Sequence, residues 1–237
     1  MKTKTLVLAA AALTACALTA SAQSNVYSLN IVGYVNVVVN PSPNPGIDAG
    51  FTMLANPLDN GAGNLASNLV PASLPTAARI WVFDPTTGYQ FANKKSTGAW
   101  GGFGSGVFTI APGVGYFVSH TNNIAYTNTY VGNVPGTVPG SLTNNLTFGT
   151  SGFNLVGSQY PIGGSATNFG SNTINLPSAL PTGSRVWAFD TIGGYTFANK
   201  KSTGAWGGTV PTINVGQGFF ISNPSNTPVT WIQNVGP

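Results

Sequence analysis

The chain has 237 residues, of which 5% are charged, against roughly 25% in an ordinary soluble domain. Eight basic residues stand against four Asp and no Glu, while Gly contributes 31 residues and Pro 17. That composition excludes a long charged helix, a coiled coil and an acidic disordered tail, and it argues against helical enzymes built on Glu chemistry.

The first segment, MKTKTLVLAAAALTACALTASAQ, places Lys2 and Lys4 before an apolar stretch from Leu6 to Leu18. That stretch is too short to span a bilayer comfortably. Ala20-Ser21-Ala22 then forms an A-x-A cleavage site, so residues 1–22 read as a secretory signal peptide. Leu13-Thr14-Ala15-Cys16 also permits lipoprotein processing at Cys16. Cleavage after Ala22 leaves six basic and four acidic residues, a net charge of +2, and removes the only cysteine. The remaining chain has no disulfide, no thiol nucleophile and no transmembrane helix, and its scattered charges form no basic stripe for nucleic acid.

The following elements are short and strand-like. A leader strand is expected at 26–39. A first set of strands follows at 51–55, 79–84, 88–92, 107–110, 115–119 and 125–131, and a second at 153–157, 185–190, 194–198, 211–214, 218–222 and 228–233. Single helical turns are expected near 64–70 and 165–170.

The two sets are copies. Residues 74–102 and 180–208 are identical at 21 of 29 positions, and Phe91–Gly102 matches Phe197–Gly208 without exception. The chain therefore divides into a leader strand and linker (23–49), a β unit (50–134), a connector (135–151) and a second β unit (152–237). The expected fold is all-β: two tandem pseudo-symmetric antiparallel units, sandwich or barrel-like; the connector permits one body or two beads, and shared sheets favour one body. Alternation puts Arg79, Trp81 and Phe83 on one face of a hairpin with Tyr89 and Phe91, and repeats this with Trp187, Phe189, Tyr195 and Phe197. Arg79 and Arg185 are placed to stack on Trp81 and Trp187.

The identical twelve residues hold every lysine left after cleavage. Lys94, Lys95 and Trp100, with Lys200, Lys201 and Trp206, form the candidate ligand site. An indole plane beside ammonium and amide donors suits a sugar ring or an anionic polysaccharide. The competing reading is a loop kept for its shape, with the Trp packed inward. The Lys-Ser-Thr run lacks the glycine spacing of a phosphate loop, so no nucleotide is expected. Gly113-Val114-Gly115 and Gly216-Gln217-Gly218 precede strands, which excludes a dinucleotide fingerprint. Asp84 and Asp190 enter turns and read as turn-capping side chains. His120 has Asn223 as its counterpart and no fellow ligands, so neither a metal nor a cofactor is expected.

At the level of its motifs the chain resembles an uncharacterised family of exported bacterial tandem β-repeat proteins. The pattern is a signal peptide, a VYSxNxVGYVN opening (here Val26 to Asn36), and units of the form GFNLVG…VWxFD…GYxF…VGxGFFI. The resemblance implies a β architecture and a secreted or surface location, and it carries no functional residues with it. The expected function is that of an exported, non-catalytic β-repeat protein, periplasmic, on the cell surface or extracellular, in a binding or structural role. Polysaccharide or a second copy of the chain is the expected partner. The alternatives are a polysaccharide-acting enzyme using Asp84 or Asp190, which needs two carboxylates about 5–9.5 Å apart, and an outer-membrane β-barrel, whose strands need roughly 9–11 residues.

Overall fold

The computed structural model describes residues 32–102, 108–135, 141–146, 152–167 and 173–234. The expected signal peptide, residues 26–31 of the leader strand and residues 168–170 lie outside the described residues, and the helical turn expected at 165–170 instead begins at the end of a short strand, Gly164–Ser165. The protein is almost entirely β. In chain order the elements are β1 (Val32–Val39), β2 (Gly50–Ala55), a single helical turn α1 (Ala66–Leu69), β3 (Arg79–Asp84), β4 (Gly88–Lys94), β5 (Trp100–Gly102), β6 (Gly115–His120), β7 (Tyr126–Asn133) and β8 (Ser141–Leu146). They continue with β9 (Phe153–Gly157), β10 (Gly164–Ser165), β11 (Arg185–Asp190), β12 (Gly194–Lys200), β13 (Trp206–Gly208), β14 (Thr212–Ile213), β15 (Gly218–Ser222) and β16 (Val229–Asn234).

The duplication in sequence is a duplication in topology. One five-stranded antiparallel sheet has the order β2-β6-β3-β4-β5, and the other has the equivalent order β9-β15-β11-β12-β13. Each is accompanied by a two-stranded ribbon: β1 pairs with β7, starting Val32 against Asn133, and β8 pairs with β16, starting Ser141 against Asn234. The leader strand thus has a counterpart, β8, within the stretch expected as a connector. Two smaller elements also correspond. Ala66 N–H donates to the Phe108 carbonyl at 2.7 Å, and Ala166 N–H to that of Pro211 at 3.1 Å. None of the described sheets closes into a barrel, and no described helix is long and apolar enough to cross a membrane.

The alternation of each strand explains three apolar layers. In β3, Ile80 points into the core of the first unit with Leu54, Ile110, Tyr116 and Val118. The second unit repeats this with Val186, Ile213, Phe219 and Ile221 around a fully buried Trp231. Residues one position along, Met53, Phe117, Leu155 and Phe220, point the other way and form a third cluster between the two sheets. Both faces of β6 are therefore covered, and all six of its residues are buried. Burying each such Leu, Ile or Phe contributes about 1.5–3 kcal/mol.

The sequence pointed to shared sheets, but each five-stranded sheet is built from one unit alone. The units meet face to face, joined by two equivalent backbone bonds: Ala55 N–H to the Gly216 carbonyl at 2.8 Å, and Gly157 N–H to the Gly113 carbonyl at 2.9 Å. Glycines permit this approach. A Cβ at Gly157 would collide with that of Ala55, and one at Gly218 would lie 2.5 Å from the Leu54 carbonyl oxygen.

Candidate functional site

The twelve identical residues form the end of one strand, a tight turn and a short return strand. Here β4 pairs with β5, and β12 with β13. Lys95 N–H donates to the Ala99 carbonyl at 2.8 Å, and Gly98 takes φ +83° to close the turn. Glycine adopts that backbone conformation without the cost a Cβ imposes. The Lys95 side chain lies across Gly101, and Lys201 lies likewise across Gly207.

Lys94 and Lys200 point the other way and are each only 8% exposed. The Lys94 ammonium donates to the carbonyls of Ala72 and Leu74, the latter at 2.7 Å, and Lys200 does the same with Ser178 and Leu180. Both ammonium groups are thereby committed to pinning a neighbouring loop. Trp100 and Trp206 pack, half-buried, against the cores of their own units. The predicted residues thus sit together in each loop, but of these four lysines only Lys95 and Lys201 face solvent.

The hairpin aromatics occupy a different place, the junction of the two units. Trp81 stacks on Phe91 at 4.7 Å and Phe83 meets Tyr89 at 5.1 Å, while the second copy gives 6.4 Å for Trp187–Phe197 and 5.0 Å for Phe189–Tyr195. Arg79 lies over Trp81 and Phe91, whereas Arg185 lies over Phe197. Across the junction Phe83 touches Phe220 at 5.4 Å and Phe117 touches Phe189 at 5.6 Å.

This packing leaves two related cavities. One, of about 350 Å³, is walled by Phe51, Trp81, Tyr89, Phe117, Phe189 and Tyr195. The other, of about 380 Å³, is walled by the equivalent set Phe153, Trp187, Tyr195, Phe220, Phe83 and Tyr89. Tyr89 and Tyr195 belong to both and stand half-exposed. Burial holds both phenols above their ordinary value, and the neighbouring Tyr195 hydroxyl pushes Tyr89 further in the same direction. The two hydroxyls are protonated at neutral pH, and the hydrogen bond between them uses the donor of one. The sequence pattern predicted the aromatic ladders. That two ladders face each other was not legible, because alternation assigns a face and not the face's partner.

A third depression, of about 340 Å³, lies beside the first cavity and shares Phe189 with it. Its walls come from β1, β2, the turn after β11 and the loop before β15, and they carry the side chains of Asn36, Asn40, Asp190, Thr191, Asn214 and Gln217. Thr191 also ties the units together: it accepts from Asn40 Nδ2 at 2.9 Å and donates to the Phe51 carbonyl at 2.7 Å.

The four Asp side chains serve turns and loops. Asp84 accepts from the N–H groups of Thr86 and Thr87, and Asp190 from those of Ile192 and Gly193, which holds both carboxyls below the usual carboxylate range. Asp59 accepts from Gly61 N–H and Asn64 Nδ2, and Asp48 from Asn44 Nδ2. His120 is buried against the edge of Tyr126, and burial pushes its pKa down. Among the described residues no three His, Cys, Asp or Glu side chains gather as a metal site. No family model, curated protein or solved structure matches the chain.

Proposed function

We propose that the chain is an exported, non-catalytic β-repeat protein that binds carbohydrate at the cell surface or outside the cell, through the junction of its two units. The observation that carries this reading is the pair of equivalent aromatic cavities. Their walls present flat π faces for the C–H faces of a sugar ring, together with the Tyr89 and Tyr195 hydroxyls. The described walls are aromatic throughout, which favours binding over turnover. The expected export rests on the N-terminal segment and on the resemblance to exported β-repeat proteins.

The test is affinity electrophoresis of the purified chain through gels holding a panel of soluble polysaccharides, with tryptophan emission followed on titration. At least one polymer is expected to retard the protein and shift the emission of Trp81 and Trp187. A chain that migrates unchanged in every gel loses the carbohydrate assignment.

A second reading, a self-associating structural protein, is favoured by the outer face of the β1–β7 ribbon. Val32 and Tyr34 there are each 67% exposed, Val38 and Val131 are also exposed, and neither strand carries a charge. Uncharged ribbons with open edges invite pairing with another chain. Sedimentation of the same sample separates the two readings, since this one requires assemblies that grow with concentration.

A further inference from the structure

We propose that the polar cleft beside Phe189, which adjoins the first aromatic cavity, extends that cavity into one polar saccharide subsite per chain and takes a neutral, hydroxyl-rich sugar. This rests on the carbohydrate reading above and names the groups that would do the recognising.

The first argument is the chemistry of the walls. Sugar hydroxyls are both donors and acceptors, and they are bound by amides and carboxylates set beside an aromatic face. The cleft offers that mixture. Asp190 uses Oδ1 on its own turn, and its Oδ2 has no partner among the described residues. Asn36 uses Oδ1 to accept from Thr129, and its Nδ2 has no partner among the described residues. Gln217 uses Oε1 on Asn214 N–H, and among the described residues neither its Nε2 nor the Asn214 side-chain amide has a partner. Phe189 supplies the ring, and Met53 and Val215 supply apolar floor. Among the described residues no Lys or Arg lines the cleft and Asp190 does, which favours a neutral sugar over an anionic one. The volume of about 340 Å³ lies at the lower end of the ~300–1,000 Å³ usual for small-molecule sites.

The second argument is the broken symmetry. The aromatic cavities occur twice, as a duplication requires. The polar side chains of the cleft are only partly repeated, as the internal repeat shows. Thr191 corresponds to Pro85, Gln217 to Val114 and Asn214 to Ala111. The second unit therefore carries three polar groups where the first carries a proline and two apolar side chains. The turn closes by the same backbone bond in both units, and Gln217 Oε1 adds a bond from Asn214 N–H in the second. Val114 N–H donates to the Ala111 carbonyl at 3.0 Å, and Gln217 N–H to that of Asn214 at the same distance. The first unit forms the same turn with apolar side chains, and in the second the polar ones converge on one depression.

The experiment compares the wild-type chain with the Asn214→Ala/Gln217→Val double variant, whose residues are those the first unit uses in the same turn. Both run through gels containing neutral glucans, galactans, mannans and xylans, and an anionic pectate. Oligosaccharides of any retarding polymer are then titrated calorimetrically. The expected result is retardation of the wild type by a neutral polymer, one oligosaccharide bound per chain, and affinity at least tenfold weaker in the double variant at unchanged melting temperature. Thr191→Val is expected to weaken binding in the same direction. Retention of wild-type affinity in a folded double variant, two equivalents per chain, or retardation by pectate alone overturns the cleft assignment and leaves the carbohydrate reading standing. A wild type retarded by no polymer overturns both.

Discussion

The adjacent lysines of the duplicated loop look alike in sequence and differ completely in role. Lys94 Nζ is the donor for two carbonyls inside the fold, whereas Lys95 lies in solvent across a glycine. Removing the first leaves buried acceptors unpaired at roughly 1–3 kcal/mol. Lys94→Ala is therefore expected to destabilise the protein by about 2 kcal/mol, and Lys200→Ala equally, while Lys95→Ala changes stability by about 0.5 kcal/mol or less. Urea unfolding of the three variants checks this, and equal effects at 94 and 95 would contradict it. His120 supplies a second residue-scale prediction. Its Nδ1 accepts from Asn122 N–H at 3.3 Å, and burial lowers its pKa although the Asn40 backbone acts in the opposite direction. The folded chain thus keeps His120 neutral where the unfolded chain, titrating near 6.5, binds a proton. Stability is full above about pH 6.5 and falls as the pH drops from there towards the lower folded pKa. His120→Asn, the residue the second unit uses as Asn223, is expected to flatten that fall when melting temperatures at ~pH 7.5 and ~pH 5 are compared.

At the scale of elements, the strands with alternating apolar residues were legible. The expected strands at 79–84, 153–157, 185–190 and 218–222 have the observed limits, because alternation and flanking Gly, Pro and Asp fix both face and ends. The short return strands β5 and β13 were not legible. Their Trp-Gly-Gly sequence has no alternation, and pairing with β4 and β12 alone makes them strands. β8 was missed for a related reason: Ser141–Leu146 reads as polar connector, and β16 supplies the hydrogen bonds. The twelve-residue identity marked a loop worth examining, and the structure gives most of its positions a packing or hydrogen-bonding partner. Phe91 stacks on Trp81, Ala92 is buried, Asn93 accepts from Arg79 Nε, and Trp100 seals the core. The Asn and Gln side chains of the cleft were invisible by contrast, because they come from segments about 180 residues apart, as Asn36 and Gln217 are.

At the scale of the molecule, two sheets with closed backbone bonds across a glycine-lined junction should unfold together. Gly157→Val places a side chain where Ala55 Cβ already stands. Shifting the backbone there would break the Gly157–Gly113 bond, and the Ala55–Gly216 bond related to it. The expected outcome is a lower melting temperature, with the aromatic emission of the junction lost before the far-ultraviolet β signal. Coincident loss of both signals at the wild-type midpoint would mean the junction contributes little. The sequence by itself determined that the protein is all-β, that it is built twice from one unit, and which side chains share a face, since composition, repetition and alternation are local properties. Only the tertiary structure decided that the units keep separate sheets, that their aromatic faces meet, and that one polar cleft opens beside them. Those are facts of packing between distant segments, where the fit of two surfaces and the space left between them depend on every residue of both.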